Sequence, residues 1–148
     1  MRLAIAAFIA VCATAVAARA EPCDAVSLTG LWELTSIDIA EPGASAFYKA
    51  NPYEYLRFGA DGRFAYLAGP RKAKDVGSMN ALLDGAQAAG PRYDTRVINA
   101  TTLVIFRNGQ PFQGFVCSVD KVGEAASEMV WTQMEGAPSV RRVHHRLK

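Results

Sequence analysis

The strongest fold signal lies near the start of the expected mature chain, where the sequence reads Leu28-Thr29-Gly30-Leu31-Trp32-Glu33-Leu34-Thr35. Its residues alternate as in a half-buried strand, because side chains two apart lie on the same face of a sheet. The even-numbered residues, including Gly30 and Trp32, would share one face. A glycine two residues before a tryptophan indicates a close approach of the backbone beside a large ring. We therefore expect Trp32 to lie in the core.

Strand patterns recur at short spacing after this stretch. Segments 53–58 and 63–67 are rich in aromatic residues and flank Asp61-Gly62, a pair typical of a β-hairpin turn. Asn108-Gly109 predicts a second tight turn, between segments 101–106 and 112–119. With segments 92–99, 128–134 and 140–147, the pattern predicts about eight antiparallel strands. The expected inward residues of the first hairpin are Leu56, Phe58, Phe64 and Tyr66.

One segment has the spacing of a helix instead. Ser78 can serve as its N-cap, Gly90-Pro91 ends it, and its apolar residues stand at positions i, i+3, i+4 and i+7, namely Met79, Leu82, Leu83 and Ala86. The fold class that follows is all-β and mainly antiparallel, a barrel or a sandwich, with one short helix near 78–89. An up-and-down barrel is favoured because closure removes the exposed strand edges.

The first twenty residues have the pattern of a signal peptide. One positive charge precedes an apolar run to Ala18, and Ala18-Arg19-Ala20 resembles a cleavage site. The run is too short to cross a bilayer comfortably, although a retained membrane anchor is the alternative. We predict a signal peptide at 1–20, a single domain at 21–148, and export to a bacterial periplasm or secretion.

Charge excludes some classes of partner. The whole chain has 16 basic and 14 acidic residues, and removing Arg2 and Arg19 with the signal peptide leaves 14 of each. The balanced mature chain gives no electrostatic argument for nucleic acid or for acidic lipid. We expect no nucleic-acid partner and no stable membrane insertion.

Two cysteines remain in the expected mature chain, Cys23 and Cys117. In an exported protein such a pair most simply forms one disulfide. The bond would close nearly the whole chain, a constraint worth at most about 4–5 kcal/mol in the loop-entropy model. Free thiols or a metal site are the alternatives, but neither cysteine has a neighbouring Cys or His at ligand spacing.

No catalytic motif stands out in the sequence. It contains no Gly-x-Ser-x-Gly, no His-Glu-x-x-His and no phosphate-binding glycine loop. His144 and His145 would point to opposite faces of a strand, so they cannot jointly bind one metal ion. The basic cluster at the C-terminus is either an anion site or, as we favour, a charged edge that discourages strand addition. We expect no catalytic residue, metal or cofactor.

The Gly30-Leu31-Trp32 motif on a first strand, with a small exported barrel and a basic last strand, resembles the lipocalin-like (calycin) group. In that group the tryptophan lies at the closed end of an eight-stranded barrel, and a basic side chain from the last strand packs over its ring. The resemblance implies a structural motif of Gly30, Trp32 and one arginine. Arg141, Arg142 and Arg146 are the candidates, with Arg142 as the provisional assignment. The helix near 78–89 departs from the group because it lies in the middle of the chain.

An eight-stranded barrel is either filled by its side chains or able to hold one small ligand. Periodicity does not decide between these cases. The residues expected to contact a ligand are aromatic and lie on several strands: Tyr55, Phe58, Phe64, Tyr66, Phe106, Phe115 and Trp131.

Three functions of different class remain open. The favoured one is a lipocalin-like protein that binds a small hydrophobic ligand. The second is an inhibitor or interaction module resembling small bacterial metalloprotease-inhibitor barrels, whose N-terminal segment enters the protease cleft. Residues 21–27 would take that part here, although a Cys23–Cys117 disulfide would restrain them. An enzyme is the least favoured, and His144 and His145 are the residues whose substitution would test it.

Overall fold

The computed structural model describes residues 19–39, 42–122, 125–134 and 140–148. Residues 1–18, most of the predicted signal peptide, lie outside the described residues. The helices are α1 (Ala25–Leu28), α2 (Pro42–Ala50) and α3 (Val76–Ala89). The strands are β1 (Arg19–Pro22), β2 (Gly30–Ile39), β3 (Tyr53–Phe58), β4 (Arg63–Gly69), β5 (Tyr93–Asn99), β6 (Thr102–Arg107), β7 (Gln110–Val122), β8 (Ala125–Gln133) and β9 (Val140–Leu147).

Strands β2 to β9 form a closed antiparallel barrel. Each strand pairs with the next in sequence, and β9 pairs with β2 to complete the ring. The predicted up-and-down all-β barrel of eight strands is therefore confirmed. Both predicted tight turns are present, since Gly62, Asn108 and Gly109 have positive φ angles of 80°, 51° and 81°. Positive φ at both Asn108 and Gly109 is what a type I′ turn requires.

The N-terminal segment is fastened to this ring through β7, and its Cys23 and Leu28 are buried in the core of the barrel. β1 pairs with the second half of β7, on the edge where β6 has ended. Cys23 and Cys117 are joined by a disulfide with their Cα atoms 5.7 Å apart. The predicted pairing of the two cysteines is therefore present. It ties residues 21–27 to β7 rather than leaving them as a projecting arm.

Trp32 fills the closed end of the barrel, as its alternation predicts. The ring is completely buried, and its Nε1 donates to the Leu28 carbonyl at 2.8 Å. Arg146 lies directly opposite on β9, with its guanidinium 5.8 Å from the centroid of the indole. The provisional assignment of Arg142 to this contact is wrong, because the register of β2 and β9 pairs Arg142 with Ile37 instead.

Gly30 is required by the same contact. Its φ of +135° is a conformation that other residues rarely adopt, and a Cβ at this position would lie 3.0 Å from Nε of Arg146. The guanidinium also donates to the carbonyl oxygen of Thr29. The glycine therefore leaves the space in which Arg146 reaches both the backbone and the indole ring.

Two predicted element boundaries need correction. β2 begins at Gly30 rather than at Leu28, because Leu28 ends helix α1. Helix α3 begins earlier than predicted, with Asp75 as the N-cap, and Ser78 is the third helical residue of a reciprocal capping box. The sequence pattern did not distinguish these two capping roles because Asp and Ser are both good N-caps.

A second apolar cluster lies outside the barrel under helix α3. It comprises Leu31, Tyr55, Ala65, Met79 and Leu83. Its three strand residues, Leu31, Tyr55 and Ala65, have odd numbers. Helix α3 therefore covers the face of β2, β3 and β4 that the alternation predicted to be outward. Leu31 is buried for this reason.

Substitution of Gly30 by alanine is expected to lower the free energy of unfolding by about 2 kcal/mol, because both the strained φ and the contact with Arg146 oppose a Cβ. Urea unfolding measures the change. Gly85→Ala is the matched control, since apart from the adjoining backbone of helix α3 the added Cβ meets nothing within 4 Å. That control is expected to gain up to about 1 kcal/mol. Equal stability of the two variants would contradict the role given to Gly30.

Among the helices of the described residues, none is long and apolar enough to cross a membrane.

Candidate functional site

A cavity of about 270 Å³ lies at the end of the barrel away from helix α1. It forms where β4 and β5 separate, because these strands pair only at Arg63 with Asp94 and at Phe64 with Tyr93. β4 continues past this pairing to Gly69. The cavity is lined by Phe64, Tyr66, Tyr93, Ile105, Phe112, Gln113, Phe115, Trp131 and Arg142.

Aromatic rings form most of the cavity wall. Trp131 stacks on Phe115 with ring centroids 4.3 Å apart, and the edge of Phe64 faces Trp131 at 6.3 Å. Tyr93 and Phe112 lie together with centroids 5.9 Å apart, and Phe112 is more than half exposed. The wall is therefore suited to a flat apolar molecule, whose ring can stack against these side chains.

A buried polar network lies behind this wall. Glu54 is fully buried, and its Oε1 lies 2.8 Å from Nε2 of His144, which is also fully buried. Tyr66 donates its hydroxyl to the other oxygen of Glu54 at 3.3 Å. Nε of Arg142 lies 3.8 Å from Glu54, and its Nη2 donates to the hydroxyl of Tyr48 on α2. Glu54 is thus the common acceptor of this network.

Burial and the neighbouring charges shift the pKa values of Tyr66 and His144. Burial raises the pKa of Tyr66 well above its ordinary value, and the Glu54 charge acts in the same direction, so the hydroxyl remains a donor. Burial lowers the pKa of His144, against the opposing effect of Glu54. A neutral His144 that donates from Nε2 to Glu54 has an acceptor lone pair on Nδ1.

Three buried nitrogens have no hydrogen-bond partner within the described part of the protein: Trp131 Nε1, Arg142 Nη1 and His144 Nδ1. The three residues are neighbours, since Trp131 pairs with Arg142 across β8 and β9 and its ring meets the His144 ring edge-on at 5.4 Å. Buried polar groups are nearly always paired in folded proteins. They form a cluster of unpaired nitrogens in the packed region beside the cavity.

Acidification is expected to destabilise the protein through His144. Its folded-state pKa is depressed, so below about pH 6.5 the unfolded chain takes up a proton that the folded chain does not. Stability therefore falls as the pH drops through that window, by at most about 1.4 kcal/mol for each pH unit. Urea unfolding between pH 7 and pH 5 should show a smaller loss for His144→Gln. His145→Gln, on the exposed face of the same strand, should behave as the unmodified protein does.

The predicted ligand-contacting residues separate into four places. Phe64, Tyr66, Phe115 and Trp131 line the cavity. Phe58 lies deeper, packed on Phe64 at 5.0 Å and on Trp131 at 6.2 Å.

Tyr55 and Phe106 do not line the cavity. Tyr55 lies outside the barrel under α3, where its hydroxyl accepts a hydrogen bond from the Ala73 amide. Phe106 packs against the guanidinium of exposed Arg96, 4.3 Å from the ring centroid. Its outward orientation follows from simple alternation, because Leu103 and Ile105 on the same strand face the core.

Sequence reasoning missed Glu54, Tyr48 and the polar role of Arg142. A signal for Glu54 was present, since it alternates with Leu56 and Phe58 and so had to face the interior. Alternation indicated that His144 and His145 point to opposite faces of their strand but did not show which of the two faces the interior. No local pattern indicates that Tyr48, in α2, reaches Arg142 on β9.

No group of side chains within the described ranges has the composition and spacing to hold a metal ion. No family model matches the chain, and no curated protein or solved structure gives a significant match. The described residues form a closed eight-stranded antiparallel barrel, which is consistent with a lipocalin-like fold. The barrel has an aromatic cavity, and a buried polar network lies behind its wall.

Proposed function

We propose that this protein is an exported, lipocalin-like binding protein that holds a small, mainly apolar ligand in the cavity of its barrel. The observation that carries the proposal is the cavity itself, about 270 Å³ in volume and walled by aromatic side chains. Its size is near the lower end of the range for small-molecule sites, which favours a compact ligand.

Two further features support the proposal. The disulfide between Cys23 and Cys117 is of a kind that persists in oxidising compartments such as the bacterial periplasm. The Gly30–Trp32–Arg146 contact matches the arrangement that the lipocalin-like resemblance implies. The role proposed for the cavity is binding, and we assign no catalytic residue.

Titration with N-phenyl-1-naphthylamine tests the proposal. This neutral dye fluoresces more strongly in apolar surroundings, so we expect a saturable rise in its emission and quenching of Trp131, which lines the cavity. Ile105→Trp would place a bulky ring in the cavity, and we expect it to weaken dye binding at least about tenfold.

Val116→Trp is the matched control, because Val116 is about half exposed on β7 and does not line the cavity. We expect that variant to bind the dye as the unmodified protein does. Circular dichroism establishes that both variants are folded. Absence of saturable dye binding, or equal losses in the two variants, would show that the barrel cavity is not the binding site.

A further inference from the structure

One polar side chain in the cavity wall takes no part in holding the fold together. Gln113 lies on β7 directly opposite Ile105, which is 5% exposed and belongs to the barrel core. Residues directly opposite each other on paired strands share a face of the sheet, so Gln113 also faces the interior. Gln113 lines the cavity, and its side-chain amide has no hydrogen-bond partner among the described residues.

The amide of Gln113 is open to a bound molecule. Nε1 of Trp131 and Nη1 of Arg142 are enclosed by protein atoms, so a ligand does not reach them. Gln113 is half-buried, and neither atom of its amide belongs to that enclosed set. Gln113 also lines a groove outside the barrel, so it lies where the cavity reaches the outer surface. A ligand in the cavity can therefore contact this amide at its outer end.

Most other polar groups of the wall are already paired within the protein. Tyr66 donates its hydroxyl to Glu54, and the Arg142 guanidinium faces the same carboxylate. The hydroxyl of Tyr93, like the Gln113 amide, has no hydrogen-bond partner in the described part of the chain. A carboxamide has an acceptor oxygen and two N–H donors, so Gln113 can bond to a ligand group that donates, accepts or does both.

The charges of the wall favour a neutral ligand. Arg142 is the one cation among the described residues that line the cavity. Its guanidinium faces the fully buried Glu54 and donates to the hydroxyl of Tyr48. An anionic ligand would thus lose its hydration in an aromatic cavity without gaining an unpaired cation, which is unfavourable.

We propose that Gln113 selects the ligand by hydrogen bonding to a neutral hydroxyl or amide group at one end of an otherwise apolar molecule. The apolar part lies against the aromatic wall formed by Phe115 and Trp131. This inference rests on the proposed function and specifies its ligand class. It agrees with the general pattern of small-molecule sites, in which a few polar groups in an apolar pocket provide specificity.

Three benzene derivatives of similar size test the ligand class by competition against N-phenyl-1-naphthylamine, on the full oxidised chain at pH 7. 4-Ethylphenol carries a neutral hydroxyl, 4-ethyltoluene has a methyl group in its place, and 4-ethylbenzoate is anionic. We expect 4-ethylphenol to bind at least as tightly as 4-ethyltoluene, although the phenol is the less hydrophobic of the two. 4-Ethylbenzoate is expected to bind at least about tenfold more weakly than the phenol.

Substitution of Gln113 tests the assignment to this residue. Gln113→Leu retains a side chain of similar size but removes the amide, and Gln113→Met does the same with an unbranched chain. In each variant the affinity for 4-ethylphenol relative to 4-ethyltoluene should fall about fivefold, while the affinity for 4-ethyltoluene changes little. Gln110→Leu is the matched control, because Gln110 is exposed on the same strand and does not line the cavity. It should leave the ratio unchanged.

Stability separates a role in recognition from a structural role. Because the Gln113 amide has no partner among the described residues, the fold should not need it. The urea midpoint of Gln113→Leu is therefore expected to equal or exceed that of the unmodified protein, as occurs where a residue serves binding at some expense of stability. A lower midpoint in both Gln113→Leu and Gln113→Met would show that the amide supports the fold and would overturn the assignment.

The binding outcomes separate this inference from the proposed function. An unchanged ratio in both Gln113 variants, or a ratio that falls in Tyr93→Phe instead, would remove Gln113 from recognition while the cavity remains a binding site. If 4-ethylbenzoate binds most tightly, the neutral ligand class is wrong. If the dye itself does not bind, the proposed function fails and this inference with it.

Discussion

Replacing Trp32 by alanine is expected to lower the free energy of unfolding by about 3–5 kcal/mol, the usual loss for a fully buried large aromatic side chain. The indole ring is 0% exposed, carries Arg146 on one face and donates a hydrogen bond to Leu28. The substitution would leave a cavity at the closed end, expose the Arg146 guanidinium to an empty space and leave the Leu28 carbonyl without its donor. Equilibrium unfolding in urea, monitored by far-UV circular dichroism, measures the change.

Trp32→Phe separates the contributions of this ring. Phenylalanine retains much of the apolar volume but cannot donate to Leu28, so we expect a smaller loss of about 1–3 kcal/mol. A Trp32→Ala variant within 1 kcal/mol of the unmodified protein would show that Trp32 is not the central core residue.

Replacing Glu54 by alanine is expected to have an effect of similar size, a loss of about 3–5 kcal/mol. The reason differs, because Glu54 is not an apolar core residue. Its carboxylate compensates Arg142 and accepts hydrogen bonds from His144 and Tyr66 inside the barrel. Removing it leaves the charge of Arg142 and the ring of His144 largely buried without their partner, which costs more than the net value of the network.

Glu33→Ala is the matched control for this measurement. Glu33 lies on the neighbouring strand β2 and faces Lys72 at 3.4 Å, with the Lys72 side chain 62% exposed. An exposed ion pair of this kind contributes at most about 1 kcal/mol. Comparable losses for Glu33→Ala and Glu54→Ala in urea unfolding would mean that Glu54 does not hold a buried network.

The two stability predictions concern opposite ends of the same barrel. Trp32, Gly30 and Arg146 close one end with a packed and hydrogen-bonded contact. Glu54, His144 and Arg142 lie towards the other end, where β4 and β5 separate and the cavity opens. The protein thus combines a packed closed end with an aromatic cavity at its other end, and that cavity is what we propose holds a ligand.

The sequence predicts the fold class from local and compositional signals, which are strand alternation, the Asp61-Gly62 and Asn108-Gly109 turns and the Cys23–Cys117 pair. It also determined the orientation of several interior residues, including Trp32, Phe58 and Phe64. Alternation gives the face on which a side chain lies and nothing about its neighbours across the barrel.

The tertiary structure alone decided which of three arginines packs over Trp32 and whether the barrel is filled or has a cavity. The β2–β9 register, which contains an irregularity between Leu34 and Ser36, places Arg146 on Trp32 and leaves Arg142 for Glu54 and Tyr48. The cavity depends on how far β4 and β5 remain paired. Both features come from pairing between segments distant in the chain, and a local sequence pattern specifies the face of each strand but not its register with a distant partner.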